Sequence, residues 1–380
     1  MKRYILFFIV VLSCPFTLRA QVEECYPTDS ARAFILLSAT GSMSVIESEF
    51  SISAVKKVRF AKGNLLYQPS TGKWRIAPRA YDIVGGNCSQ EPKGTHGTIW
   101  DSITNPKTHK KVWTRCTNDN THNATYEGWI DLFPWGTSGW YGMDGTEDPT
   151  ASIATRNANN PIGKITCNPY ETGRDNANYS LGGDPSQGFD GIYANADWGI
   201  LHNTELGGTV TEVFRVPTQA EAKYILHDRP NALKLRARAH IRIPGTGSAP
   251  DTLINGVVIL PDDWDMEISL GRPFISDYDG CTLYSDNEFT TMEWAIMEAE
   301  GAVFLPAAGG MQGGSSVKCN RSGFYWGATP DGSNSANSFD LQFGGYDSTG
   351  TLHSESTPRY YCRAVRLCQE ITEPEPEPEP

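Results

Sequence analysis

The stretch that decides the fold is SFDLQF at residues 338–343. Apolar and polar side chains alternate along it, which is the pattern of a β-strand with two different faces. We expect the apolar side chains to face the core: Phe339, Leu341 and Phe343. We expect Asp340 and Gln342 to face solvent or a ligand. The segment therefore predicts a strand near the carboxyl end with one face available for recognition.

Further short strands are predicted on both sides of this one. They lie at 58–60, 74–76, 257–260, 302–305, 324–328 and 361–367. Two helices are predicted by capping boxes, in which a threonine and a glutamate three residues later satisfy free backbone N–H groups. The pairs are Thr218 with Glu221 and Thr290 with Glu293, and Gly301 is the expected C-cap of the second helix. Few helices and no strand–helix alternation favour an α+β fold.

The ends of the chain differ in composition from the middle. Lys2, Arg3 and the apolar run to Leu12 predict a signal peptide over residues 1–20. Residues 21–48 are a lead-in without strong periodicity. Residues 49–368 form the predicted domain, and 369–380 form a Glu-Pro tail that is predicted to be disordered because proline blocks regular structure.

These features predict an exported protein that is extracellular or associated with the cell surface or outer membrane. A lipoprotein site that leaves Cys14 lipidated is the alternative to cleavage after Ala20. No apolar run approaches the roughly 20 residues that span a bilayer, so no transmembrane segment is predicted. The oligomeric state stays open.

The net charge of −12 argues against a nucleic-acid partner, because binding to phosphates requires a basic surface. Basic residues do alternate with apolar ones over residues 234–242. This pattern predicts a strand whose basic face is exposed to solvent.

Eight cysteines follow the signal peptide, and in an exported chain they favour disulfide bonds. Cys362 and Cys368 share a face of the predicted strand 361–367 and its extension, but about 20 Å separates them along it. We therefore expect each to pair elsewhere, with Cys319 and Cys281 as candidate partners.

Several segments occur in an order that resembles a known group of proteins. They are VRFAKGNL at 58–65, GWIDLF at 128–133, WGTSG at 135–139, DWG at 197–199, FRVPTQAE at 214–221, LPDDW at 260–264, EGAVFLPAAG at 300–309, GFYW at 323–326 and RAVRL at 363–367. Over residues 50–368 the chain resembles secreted Bacteroidetes proteins related to the Fibrobacter major paralogous domain. That group is similar to the formylglycine-generating-enzyme and C-type-lectin-like fold.

The resemblance implies a C-type-lectin-like fold with adjacent N- and C-termini and a ligand-facing sheet in the last third. Relatives diversified by retroelements contact their ligands through exposed aromatic and polar positions near the C-terminus. The matching positions here are Tyr325, Trp326, Asn334, Asn337, Asp340, Gln342, Tyr346, Arg359 and Tyr360. The cysteine-bearing catalytic segment of the related oxidase is not found, so the resemblance implies binding without catalysis.

The sequence predicts no metal site and no cofactor, with calcium as the alternative left open. Acidic residues that could supply oxygen ligands form two groups, in neither of which the spacing matches an EF-hand. They are Asp277, Asp279, Asp286 and Glu288, and Asp262, Asp263 and Asp265. The chain also has no H-E-x-x-H, G-x-S-x-G, P-loop or dinucleotide motif.

Aromatic residues are numerous for a chain so rich in turn formers. Most are expected in the core, whereas those beside Asn, Asp and Gln could stack on sugars or contact a protein. The sequence thus predicts a non-catalytic binding module for a glycan or protein ligand. The alternatives are a structural or adhesive protein of the cell envelope and an enzyme of the formylglycine-generating type.

Overall fold

The computed structural model describes residues 44–68, 70–84, 100–104, 111–115, 127–140, 181, 186–245, 247, 250–264, 273–312, 315–317, 319–331, 337–344, 353–359 and 361–371. The predicted signal peptide, Cys14 and the tail from residue 372 lie outside the described residues. So do most of the lead-in and the cysteines at 25, 88, 116 and 167.

Short strands account for most of the regular structure. Their bounds are β1 (Phe50–Ser51), β2 (Lys57–Phe60), β3 (Leu65–Gln68), β4 (Lys73–Ile76), β5 (Trp100–Thr104), β6 (Lys111–Arg115), β7 (Phe214–Arg215), β8 (Arg236–Ile243), β9 (Thr252–Ile259), β10 (Glu288–Thr290), β11 (Val303–Pro306), β12 (Gly310–Gln312), β13 (Ser315–Val317), β14 (Gly323–Pro330), β15 (Asn337–Phe343), β16 (His353–Pro358) and β17 (Cys368–Glu370).

The helices are short. They are α1 (Trp198–Leu201), α2 (Gln219–Lys223) and α3 (Thr291–Ala299). A π-helical turn, Tyr224–Asp228, continues α2, and 3₁₀ turns occupy Gly191–Ala196 and Tyr284–Asp286. The described residues contain no helix that combines the length and the apolar character needed to cross a bilayer.

Both predicted capping boxes are confirmed. The Thr218 hydroxyl accepts from the Glu221 N–H at 3.2 Å, and the Glu221 carboxylate accepts from the Thr218 N–H at 2.8 Å. The same two bonds join Thr290 and Glu293. Gly301 follows α3 with φ 99°, a left-handed conformation that glycine adopts without steric cost, so the predicted C-cap is also confirmed.

The strands form small, mostly antiparallel sheets. The larger ones have the orders β1-β2-β17-β7, β10-β8-β9-β11 and β14-β15-β16, and β10 with β8 is a parallel pair. The α+β class with few helices and short antiparallel strands is therefore confirmed. The pairing of β2 with β17 brings the beginning and the end of the domain into one sheet.

The folded unit extends slightly beyond residues 49–368. Val45 bridges to Ala61, and Ile46 lies in the core. At the other end Gln369 and Glu370 pair with β2. The last residues of the predicted lead-in and the first of the predicted tail are thus part of the fold.

Residues 361–367 do not form the predicted strand. Their backbone bonds go to a different partner at almost every residue: the Arg363 N–H donates to Phe133, the Ala364 N–H donates to Phe324, and the Val365 oxygen accepts from Leu65. Apolar residues alternate along this segment, but residues 362–367 are all buried, whether apolar or polar. The expectation that Cys362 and Cys368 share one strand is therefore wrong, since β17 begins only at Cys368.

Most of the basic face of β8 is buried, contrary to the sequence prediction, and Arg242 alone among the basic residues of β8 is partly exposed. Arg236, Arg238 and His240 are all buried, because residues 275–288 cover them. The Arg236 Nε donates to Asp277 at 2.7 Å, and the His240 Nε2 lies 2.8 Å from Glu288. Two carboxylates of the acidic segment that follows β9, Asp277 and Glu288, thus bind side chains of this row.

A buried guanidinium, that of Arg366, holds the domain together. Its Nη1 donates to the main-chain oxygens of Ala61 and Lys62, its Nη2 to Phe304 at 2.8 Å, and its Nε to the Asn64 side chain at 3.1 Å. These acceptors belong to the turn between β2 and β3 and to β11. One buried side chain thus joins the β2–β3 turn to β11.

We predict that Arg366→Met destabilises the domain by about 3–5 kcal/mol, because several buried oxygens lose a charged donor. Chemical denaturation followed by tryptophan fluorescence measures the effect. Arg59→Met is the matched control. Arg59 is partly exposed, and its ion pairs with Glu47 and Glu212 are 3.6 and 3.8 Å long. This substitution should lower the free energy of unfolding by about 1 kcal/mol or less. Equal losses in the two variants would contradict this role of Arg366.

Candidate functional site

The predicted recognition strand is β15, and the carboxylate at the centre of its polar face is buried. Asp340, expected to face solvent or a ligand, is 1% exposed. Its carboxylate accepts from the Arg363 Nε at 3.0 Å, from Thr357 at 3.0 Å and from Gln342 at 3.0 Å. The alternation is present, but the Arg363 side chain, from a segment that bridges to β14, covers Asp340. The prediction that Asp340 faces solvent or a ligand is therefore wrong.

Burial dominates the electrostatics of the Asp340–Arg363 pair. It raises the pKa of Asp340 and lowers that of Arg363, although each charge favours the other. The Arg363 guanidinium lies between the rings of Phe324 and Tyr361, at 4.4 and 5.0 Å from their centroids. The polar residues of this face thus form an internal, structural network.

The other predicted ligand residues are also interior where they are described. The Tyr325 hydroxyl donates to the Pro306 oxygen at 2.6 Å, and the Trp326 indole N–H donates to the Phe133 oxygen at 2.7 Å. Arg359 is fully buried over the Trp135 ring. Gln342 alone of the described set is partly exposed. Asn334, Tyr346 and Tyr360, and the side chain of Asn337, lie outside the described residues.

The opposite face of the same sheet carries an open cleft beneath α2. Its cavity volume is about 50 Å³, and the surrounding space that opens to solvent brings the total to about 560 Å³. The lining is mainly apolar and comes from α2, the sheet and the core behind them: Phe60, Pro217, Gln219, Ala222, Ile225, Leu226, Ile259, Leu305, Tyr325, Trp326, Gly327, Asp340, Leu341, Ser354 and Arg366. Leu341, predicted to face the core, is partly exposed here.

The deep polar groups of the cleft already have partners inside the protein. Tyr325 is bound to Pro306 and Asn64, and Arg366 to the oxygens described above. At the half-buried mouth lie Gln219 and Ser354, and neither side chain makes a hydrogen bond within the described part of the chain. The interior of the cleft therefore suits an apolar group, and the mouth offers an amide and a hydroxyl.

Two residues that line the cleft lie in strands predicted from the sequence, but the cleft itself was not predicted. Leu341 and Tyr325 lie in the predicted strands, whereas the space between sheet and helix depends on the small side chain of Ala222 on α2. Ala222 and Ser354 are far apart in the chain, so no local sequence pattern relates them.

The aromatic residues are mostly core residues, as expected. Trp74, Trp135, Trp140, Trp198, Trp294 and Trp326 lie in the two aromatic core clusters. Trp129 is partly exposed, but the Arg75 guanidinium lies 3.8 Å from its ring centroid. Among these rings none presents an open face beside an amide, as stacking on a sugar would require.

The carboxylates considered for calcium bind protein groups instead. Asp277 and Glu288 pair with the cations of β8, and Asp286 accepts from the N–H groups of Thr282 and Leu283. Asp262 pairs with the buried Arg229 at 2.8 Å. Within the described ranges no three His, Cys, Asp or Glu side chains are grouped to hold a metal ion. Asp265 lies outside those ranges.

The candidate disulfides between described cysteines are not formed. Cys281 and Cys368 are buried free thiols, so neither bonds to Cys362, which is disulfide-bonded. Burial raises the pKa of the Cys281 thiol to about 11 and that of Cys368 to about 12. Thiols with such pKa values are poor nucleophiles at neutral pH.

Asp131 is a buried carboxyl beside Ile130, which bridges to Tyr67 of β3. It accepts from the Val84 N–H at 3.2 Å, and burial raises its pKa from 3.8 to about 7. Asp197 is similarly buried and its pKa is raised to about 6, although it accepts from the N–H groups of Gly199 and Val216. Both carboxyls are bonded to backbone, which indicates structural roles.

No family model, curated protein or solved structure matches this chain in the three comparisons made.

We predict that Asp340→Ala destabilises the domain by about 3–5 kcal/mol, because it leaves the Arg363 charge buried without its partner. Thermal and urea unfolding measure the loss. Glu355→Ala removes an exposed carboxylate from the neighbouring strand position and should cost less than about 1 kcal/mol. A stable Asp340→Ala protein would show that the network does not support the fold.

The pH dependence of stability should report Asp131. A carboxyl whose folded pKa is raised stabilises the fold fully below the unfolded pKa of 3.8, and this contribution is lost as pH rises through about 7. Relative to Asp131→Asn, the wild type should therefore lose roughly 2–4 kcal/mol between pH 4 and pH 8. The exposed Asp263→Asn serves as control. Parallel curves for all three proteins would contradict the assignment.

Proposed function

We propose that the chain is an exported, surface-associated binding protein without catalytic activity, and that its ligand is another protein. The observation that carries the proposal is the open apolar cleft between α2 and the β14–β16 sheet. The predicted signal peptide supports the location. The buried, high-pKa thiols Cys281 and Cys368 support the absence of thiol chemistry of the oxidase type.

The lining of the cleft favours a protein ligand over a glycan. An apolar side chain that enters it buries carbon against Leu226, Leu305 and Leu341 and needs no hydrogen bond there. A sugar ring would bring hydroxyl groups next to residues whose polar atoms are already satisfied, which costs free energy. The amide of Gln219 and the hydroxyl of Ser354 can bind peptide groups at the mouth.

We further propose that the fold is of the C-type-lectin-like kind that the sequence resemblance implies. Two features support this: β2 and β17 place the two ends of the domain side by side, and a small antiparallel sheet, β14–β16, lies in the last third. In this proposal the ligand site is on the α2 side of that sheet and not on the Asp340 side.

Filling the cleft should abolish binding. Panning of a random 12-residue peptide display library on the mature protein should enrich peptides that share an apolar residue. We predict that Ala222→Trp weakens these peptides about 10- to 100-fold, because their apolar side chain loses its site. Isothermal titration calorimetry measures the affinities.

The matched control is Ala220→Trp, which places the same side chain on the exposed side of α2, away from the cleft. It should bind the peptides like the wild type. Peptides that bind Ala222→Trp and wild type equally, or a library that yields no discriminated peptide, would overturn the proposed function. Binding of sugars on a glycan array that Ala222→Trp leaves intact would favour a glycan site elsewhere.

A further inference from the structure

The roof of the cleft consists of α2 and the π-helical turn that follows it, residues 219–228. Its beginning is hydrogen-bonded to β14, one of the strands that it covers. The Gln219 N–H donates to the Thr329 hydroxyl at 3.0 Å, and the Ala328 N–H donates to the Pro217 oxygen at 2.9 Å. Lifting this end of the roof from the sheet would break both bonds.

The end of the roof is held by two buried arginines, which bind carbonyl oxygens at the point where a helix runs out of its own donors. The Ile225 oxygen accepts from the Arg229 Nε at 2.8 Å, and Arg229 also donates to the Leu260 oxygen at 2.8 Å. The Leu226 oxygen accepts from the Arg236 Nη1. Charged donors form stronger hydrogen bonds than neutral ones. The backbone of Ile225 and Leu226, whose side chains line the cleft, is therefore firmly held.

The space between the roof and the floor of the cleft is small. Its cavity volume is about 50 Å³. A cavity of about 150 Å³ holds a benzene ring, and a single water molecule needs roughly 10–15 Å³. The cleft therefore has room for the methyl groups of one aliphatic side chain but not for an aromatic ring. The floor is fixed as well as the roof, because the Tyr325 hydroxyl is bonded to the Pro306 oxygen at 2.6 Å.

We propose that the ligand residue bound in the cleft is a branched aliphatic one, namely valine, isoleucine or leucine, and that aromatic residues are excluded by their size. Admitting a ring would require the roof or the floor to move, and this movement would break the hydrogen bonds described above. Branched aliphatic side chains are compact and lose less conformational entropy on burial than methionine does. This inference rests on the proposed function and names the class of ligand residue that the same site accepts.

A series of peptides tests the size limit. The peptides enriched on the wild-type protein should share valine, isoleucine or leucine at one position. Replacing that residue by phenylalanine or by alanine should weaken binding about tenfold or more in calorimetry, because the ring does not enter and alanine buries less carbon. A phenylalanine peptide that binds as tightly as the leucine peptide, with both lost in Ala222→Trp, would overturn the size limit and leave the proposed function standing. A library without peptides that Ala222→Trp discriminates would overturn both.

Widening the cleft should reverse the preference. Leu341 lines the cleft and is partly exposed, so Leu341→Ala should enlarge the space and preserve the fold, which urea unfolding verifies. On this variant the phenylalanine peptide should bind about tenfold more tightly than on the wild type, and the leucine peptide more weakly. Leu341→Val, a smaller change, should shift both affinities in the same directions by a smaller factor.

Leu233→Ala is the matched control for the widened cleft. Leu233 is exposed and lies outside the cleft, so its truncation should change neither affinity. A phenylalanine peptide that stays weak on both Leu341 variants would show that its size is not what excludes it, and would overturn the inference.

Discussion

The buried guanidinium of Arg366 joins parts of the chain that lie far apart in sequence. It binds oxygens after β2, in β11 and on Asn64, and Asn64 in turn binds the Tyr325 hydroxyl. Burial lowers its pKa to about 10, so the side chain stays charged at neutral pH. A buried cation is tolerated only where its donors are satisfied. The position of β14, and with it the floor of the cleft, depends on these bonds.

Local signals in the sequence predicted local structure well. The capping boxes at Thr218 and Thr290, the glycine after α3 and the strand at 338–343 all depend on residues that are near one another in the chain. A threonine and a glutamate three residues apart bond to backbone whatever surrounds them. These elements, together with the absence of strand–helix alternation, were enough to predict the α+β class.

The coverage of each face could not be predicted, because it depends on distant segments. The alternation of β15 correctly separates Asp340 from Leu341, but residues 361–367 bring Arg363 onto the polar side and make it interior. On β8 the sequence predicts solvent-exposed arginines, but residues 275–288 cover them and Asp277 binds Arg236. In both places a charged face attracts the opposite charge from elsewhere in the chain and becomes part of the core.

This use of polar residues determines what the remaining surface can recognise. The charged and aromatic side chains of the last third bind one another in the buried interior, where breaking any of these contacts costs free energy. On the face beneath α2 the polar groups lie at the bottom of the cleft and bind protein acceptors, while the helix presents Ala222 and leaves space above Leu341. In the proposed function, a ligand at this face gains free energy by burying carbon against Leu341. Recognition then follows from shape, for which no side-chain motif in the sequence is needed.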